Sequence, residues 1–409
     1  MGFSLLHAAC LFANLIAAVP FQEPVSGNQA TSVFSELPRL VIYYQTTHDS
    51  FGRPISMLPL VTEFGIALTH LIVCSFHIHE NGVIHLNDFP PHKPMFYTLW
   101  NETQILKEAG VKILGMVGGA AAGSFKNTTL DGDDSAFEYY YDQLRDAIQE
   151  YDLNGLDIDV EQPMSQANIN RLIRRLRHDF GSKFIITLAP VASALRGAAN
   201  LSGFNYRTLE AELGRKIAFY NTQFYNGFGT LRNSSDIEWF EYLGWDLRKI
   251  VLGQTTSPTN AYGIVPFDDL NSTLVAIRDK YGGNSIGGIM GWEYFNSEPL
   301  GTEAPWRWAQ IMTAILRPWA RVDLRITTNK AIGLVKAWME SARSRFKEIE
   351  RERILQRIAN CQEAQSTNNA ERVAIYCRPD KPTALVSALI PDVEPDLTPN
   401  VDYMAMVNA

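Results

Sequence analysis

Cysteine is scarce. Four residues in 409, Cys10, Cys74, Cys361 and Cys377, are too few for a disulfide-built scaffold. No Cys/His cluster has the spacing of a zinc site, so no metal and no cofactor are expected. Basic charge is also short. Lys and Arg number 36 against 44 Asp and Glu, a net charge of -8, which argues against the basic face that a nucleic-acid partner requires. It leaves neutral ligands such as glycans open. After Ala18 no apolar run is long enough to span a membrane. A dinucleotide fingerprint is missing as well; Gly115-Met-Val-Gly-Gly119 does not have its spacing. Charged residues make up only 20% and hydrophobic ones 46%, a balance that excludes disorder over most of the chain.

What is present starts with an apolar stretch from Phe3 to Ala18. Its length fits a signal-peptide core, with Ala17 and Ala18 small enough for cleavage, although no Lys or Arg precedes it. Residues 1–18 are read as a signal peptide and 19–37 as a flexible N-terminus. Five N-x-[ST] sequons, at Asn101, Asn127, Asn200, Asn233 and Asn271, agree with a secreted, extracellular glycoprotein. Cys74 falls in the apolar run Leu71–Phe76 and is expected to be buried. Cys361 and Cys377 flank a polar stretch and are read as one late disulfide.

From Leu40 onward, short apolar runs alternate with helical patterns. The expected strands are 40–44, 71–76, 111–117, 155–160, 184–189, 218–225, 250–253 and 286–291. Helix-like stretches include 136–151, 168–180 and 304–316, the last with Pro305 in its first turn. Eight strands separated by helices point to an α/β fold, a (β/α)₈ TIM barrel over 38–320. Residues 321–409 form a helical and irregular extension. Within it, 329–360 carries eight Lys/Arg and four Asp/Glu, and Trp338, Ala342, Phe346 and Ile349 recur at helical spacing, which predicts an amphipathic helix.

The chemistry concentrates in Asn154-Gly-Leu-Asp-Ile-Asp-Val-Glu161. Alternate strand residues share a face, so Leu156, Ile158 and Val160 point to the helices while Asp157, Asp159 and Glu161 point into the barrel. Neighbours on that face stand about 7 Å apart. Three carboxylates so placed cannot all ionise cheaply, and at least one keeps its proton near neutral pH. A carboxylic acid held in that state is what general-acid catalysis uses. A calcium site would require further oxygen ligands and usually a loop.

The same segment resembles the D-x-x-D-x-D-x-E signature of glycoside hydrolase family 18, the chitinases and endo-β-N-acetylglucosaminidases. Asn154 stands where that signature has its first Asp; the last three acids are intact. Gly118-Gly119 resembles the family's S-x-G-G strand, with Met116 in place of the Ser. Tyr220-Asn-Thr-Gln-Phe-Tyr-Asn226 resembles its sixth barrel strand, and Gly288-Ile-Met-Gly-Trp-Glu293 its eighth. The runs Tyr43–Asp49, Asp159–Met164 and Tyr220–Asn226 look most like the secreted fungal endo-β-N-acetylglucosaminidases within the family.

The resemblance implies a substrate-assisted retaining mechanism, an exception to the usual two-carboxylate scheme. Glu161 is then the acid and base, Asp159 the residue that holds the substrate's acetamido group, Asp157 its support, and Tyr225 a donor to the acetamido oxygen. Trp292 floors the sugar. Gln223 and Asn226 help orient it, Gly118 and Gly119 line the site, and Tyr44 and Gln45 reach its rim. The expected substrate is the chitobiose core of N-glycans, with chitin oligosaccharides as the alternative. The protein is expected to act as a monomer, without nucleic-acid or membrane partners. Two other classes remain open: a non-catalytic glycan-binding protein, and an interaction protein acting through 329–360.

Overall fold

A computed structural model describes residues 38–79, 82–318, 325–326, 329–334 and 336–337. The chain divides into two compact units, 1–331 and 332–409; the barrel lies within the first. The signal-peptide reading, the flexible N-terminus, the Cys361–Cys377 pair and most of the 329–360 helix lie outside the described residues.

The described residues form nine strands: β1 (Arg39–Tyr44), β2 (His70–His77), β3 (His85–Leu86), β4 (Lys112–Gly119), β5 (Gly155–Val160), β6 (Ile185–Leu188), β7 (Phe219–Gln223), β8 (Ile250–Thr255) and β9 (Gly288–Trp292). Eight of them pair in parallel, in the order β1-β9-β8-β7-β6-β5-β4-β2, and β1 also pairs with β2, which closes the barrel. The expected eight-stranded barrel is therefore present. The sequence reading did not include β3, a two-residue strand antiparallel to β2. It is too short to show a period of two.

The helices α1 (Pro59–Thr62), α2 (Tyr97–Glu108), α3 (Asp134–Glu150), α4 (Gln166–Phe180), α5 (Ala192–Leu195), α6 (Tyr206–Leu213), α7 (Ser235–Tyr242), α8 (Phe267–Tyr281) and α9 (Trp306–Leu316) connect or follow the strands. Local chemistry sets their limits. The Asp133 side chain accepts from the Ala136 amide at the start of α3, and Ser165 accepts from Asn168 at the start of α4; each cap is worth about 1 kcal/mol. Gly181, at φ +71, ends α4. Ile169, Leu172, Ile173 and Leu176 of α4 form the buried stripe that fixes its orientation on the sheet.

Strand parity divides the interior in two. Leu40, Ile42, Tyr44, Leu156 and Ile158 face outward and pack with the helices in one large cluster. Val41, Tyr43, Ile72, Cys74, Met116, Phe219 and Tyr225 face inward and fill the barrel. A one-residue slip of β5 would turn its aliphatics into the barrel and bury its acids among the apolar side chains of the helices, where nothing would offset the cost of burying a charge. Cys74 is buried and free, as its apolar setting predicted.

One acid belongs to the fold and not to the barrel mouth. Glu102 of α2 is buried, and its carboxylate accepts from the Met57 amide and the Ser56 hydroxyl just before α1. Burial pushes its pKa up from 4.5 to about 7 despite those donors. A carboxyl raised in the folded state stabilises fully below its unfolded pKa and loses that contribution as pH rises through the folded one. The loss between pH 4.5 and 7 is on the order of 3 kcal/mol. Denaturant unfolding of the wild type should show lower stability at pH 8 than at pH 5. Glu102→Gln should flatten that slope; an identical slope would rule out Glu102 as its source.

Candidate active site

Asp157 and Asp159 point into the barrel from β5, and Glu161 stands one residue past its end. Their surroundings differ. Asp157 is fully buried and receives three hydrogen bonds, from the hydroxyls of Tyr43 (2.7 Å) and Thr187 and from the Asn221 amide (3.0 Å). Burial raises its pKa, and the three donors oppose the rise. Asp159 is 5% exposed, and the Gln223 amide donates to it at 3.3 Å. Its pKa is pushed well above the usual carboxylate range, first by burial, then by the charges of Glu161 and Asp157, and by a hydrogen bond with Glu161. Three donors oppose the rise at Asp157, whereas the neighbouring carboxylates add to it at Asp159, so of the two Asp159 is the one more strongly held in its protonated form.

Gln223 bridges the acids. Its amide nitrogen donates to Glu161 at 3.2 Å and to the Ala189 carbonyl at 2.9 Å as well as to Asp159. Tyr225 is buried beside all three carboxylates. Burial and their charge drive its pKa far up, so its hydroxyl remains a neutral donor. Trp292 sits at the end of β9, edge-on to Tyr43 with ring centroids 5.5 Å apart. The next residue, Glu293, is a buried carboxylate that accepts from the amides of Gln45 (3.1 Å) and Thr46 (2.8 Å). It ties the segment after β1 to the end of β9.

Some residues lie elsewhere than the sequence suggested. Tyr44 does not reach the rim; it is 1% exposed on the helix side and donates to the Ile55 carbonyl at 2.6 Å. Parity puts its neighbour Tyr43 in the site. Gln45 is at the rim, where with Thr46, His48, His77, Asn87 and Phe89 it lines a cavity of about 460 Å³. Asn226 is exposed, has φ +55, and pairs through backbone and side chain with Tyr262. It turns the chain after β7 and pins the loop that carries Tyr262. Asn154 accepts from the Ile113 amide at 2.9 Å at the opposite end of β5, so it joins β4 to β5 and is outside any proton relay. Gly118 and Gly119 are where β4 passes close to Asp159. Tyr43, Thr187, Asn221 and Glu293 were missed. The first three follow from counting inward positions; no local signal marks Glu293.

A parallel barrel with a graded set of acids at its C-terminal mouth defines a glycoside hydrolase, and the chain belongs to the glycosyl hydrolases family 18, whose pattern matches residues 39–256. Among solved structures it is similar to a fungal endo-β-N-acetylglucosaminidase of this family, at 61% identity and a TM-score of 0.68, covering 69% of this chain and 100% of that one. It is also similar to the chitinase ChiC from Aspergillus fumigatus, at 45% identity and a TM-score of 0.62, covering 68% and 98%. A family 18 chitinase from Pseudoalteromonas aurantia, 19% identical with a TM-score of 0.55 over 68% of this chain and 99% of that one, shares the fold. No curated protein matches the chain.

Proposed function

We propose that this protein is a secreted, retaining endo-β-N-acetylglucosaminidase that hydrolyses the GlcNAc-β-1,4-GlcNAc bond of the N-glycan core. The observation that carries the reading is the 61% identity to the fungal endo-β-N-acetylglucosaminidase over that enzyme's full length. The acid set described above supports the chemistry. The substrate's 2-acetamido oxygen attacks the anomeric carbon while Glu161 protonates the departing oxygen. The proton of Asp159, which is hydrogen-bonded to Glu161, moves toward the leaving group as the bond breaks. Asp159 is then an anion beside the oxazolinium-like intermediate, which its charge stabilises. Asp157, held by its three donors, tunes the charge of Asp159. Glu161 afterwards takes a proton from the incoming water.

Tyr225 donates to the acetamido oxygen, and Trp292 packs under the sugar. Tyr225→Phe removes one preorganised donor and should lower kcat about 10²-fold without lowering thermal stability. Unchanged kcat would sink this role.

Chitin hydrolysis is the second reading, supported by the 45% identity to ChiC. Incubation with a high-mannose glycoprotein and, separately, with soluble chitin oligomers distinguishes the two by mass spectrometry. Loss of the glycan that leaves one GlcNAc on Asn is the expected product. Chitobiose release without deglycosylation would establish the chitinase instead.

A further inference from the structure

The five sequons separate in the structure. Asn101 is 4% exposed and Thr103 1% exposed in α2, so the folded barrel has no room for a glycan there. Asn127, Asn200, Asn233 and Asn271 are all exposed. They also share one end of the barrel. Asn127 lies between β4 and α3, Asn200 between β6 and α6, and Asn233 between β7 and α7; Asn271 is in the second turn of α8, just after the β8 connection. In a parallel barrel these connections surround the C-terminal ends of the strands, the end at which Glu161 stands. The Asn127 loop is fastened to the catalytic acid's neighbour: Gln162 accepts from the Gly123 amide at 2.8 Å.

We propose that N-glycans on Asn127, Asn200, Asn233 and Asn271 are substrates of this enzyme itself, so that the processed protein carries single GlcNAc residues around its own catalytic mouth. The proposal rests on the N-glycan reading above and on passage through a glycosylating secretory route. An untrimmed branched oligosaccharide on the Asn127 loop would be tethered at the same end of the barrel as Glu161, and a single sugar would crowd that end far less. The reaction is hydrolysis. The bond between C1 of the outer GlcNAc and O4 of the Asn-linked GlcNAc breaks. Water supplies a hydroxyl to C1 and a proton to O4, with no change of oxidation state.

The test is to secrete the full chain, wild type and Glu161→Gln, from one high-mannose-glycosylating host and to analyse glycopeptides by mass spectrometry. Expected are single GlcNAc residues at the four asparagines in the wild type, intact glycans on them in Glu161→Gln, and an unmodified Asn101 in both. Wild-type enzyme added to the Glu161→Gln protein should then trim it. Unoccupied asparagines, or single GlcNAc already present on Glu161→Gln, would overturn the proposal. An external high-mannose glycoprotein is assayed in parallel. Wild type that trims it but keeps its own glycans refutes self-processing alone, whereas no action on either refutes the N-glycan reading too.

Discussion

Glu161→Gln should lose turnover by about 10³-fold, the scale of a general acid, while substrate binding is retained. Glutamine has nearly the same shape and keeps an acceptor for the Gln223 amide, which now donates to Glu161 at 3.2 Å. It has no acidic proton to give a leaving oxygen. The substitution also removes the first charge felt by Asp159, whose pKa is raised by burial and then by Glu161. Asp159 should therefore ionise at lower pH in the variant, and thermal stability should be unchanged or higher, because a repulsion within the site is relieved. Three measurements decide this: kcat on a glycopeptide, calorimetric binding of the same glycopeptide, and a melting curve. Wild-type turnover would sink the assignment of the acid. Lost binding or a lower melting temperature would mean that Glu161 supports the site rather than the chemistry.

Much of this site can be read from a period of two. Leu156, Ile158 and Val160 are aliphatic, and Asp157, Asp159 and Glu161 are acidic, so β5 declares both of its faces. The same count along β7 puts Phe219, Asn221, Gln223 and Tyr225 inward, which is where the structure has them. Tyr44 was misassigned for lack of that count. In the all-apolar run Leu40–Tyr44 nothing marks the parity, and only the pairing of β1 with β2 and β9 fixes it.

Other features are long-range and have no local trace. Glu293 meets Thr46 only because β9 closes against β1, 247 residues apart in sequence. Glu102 reaches the Met57 amide from another connection. Asn154 shows the converse error. A motif position suggests a chemical role, but three residues along a strand is about 10 Å. Its side chain is spent on the Ile113 amide at the far end of β5.

Gly118→Ala should be among the most destabilising single changes in the barrel, costing about 4 kcal/mol or more. Two independent penalties coincide. Gly118 has φ +106, a conformation that residues with a Cβ adopt at a cost. A Cβ there would also overlap the Asp159 carbonyl oxygen of β5 and come 2.5 Å from the Phe125 ring. The oxygen belongs to backbone held in the β4–β5 pairing, where Gly118 lies opposite Asp159, so it cannot move aside as a flexible side chain would. Close packing leaves no free volume to absorb the methyl group. Gly110→Ala separates the two penalties. Its φ is +87, but nothing lies within 4 Å of the added carbon, so it should cost only about 1 kcal/mol. Denaturant unfolding of both variants measures the difference. Equal losses would mean that backbone conformation alone is at work. A much larger loss at Gly118 would establish that this glycine lets β4 approach the strand that carries Asp157 and Asp159. In that case any fraction of Gly118→Ala that folds should also have reduced kcat, because Asp159 can clear the clash only by shifting with its backbone.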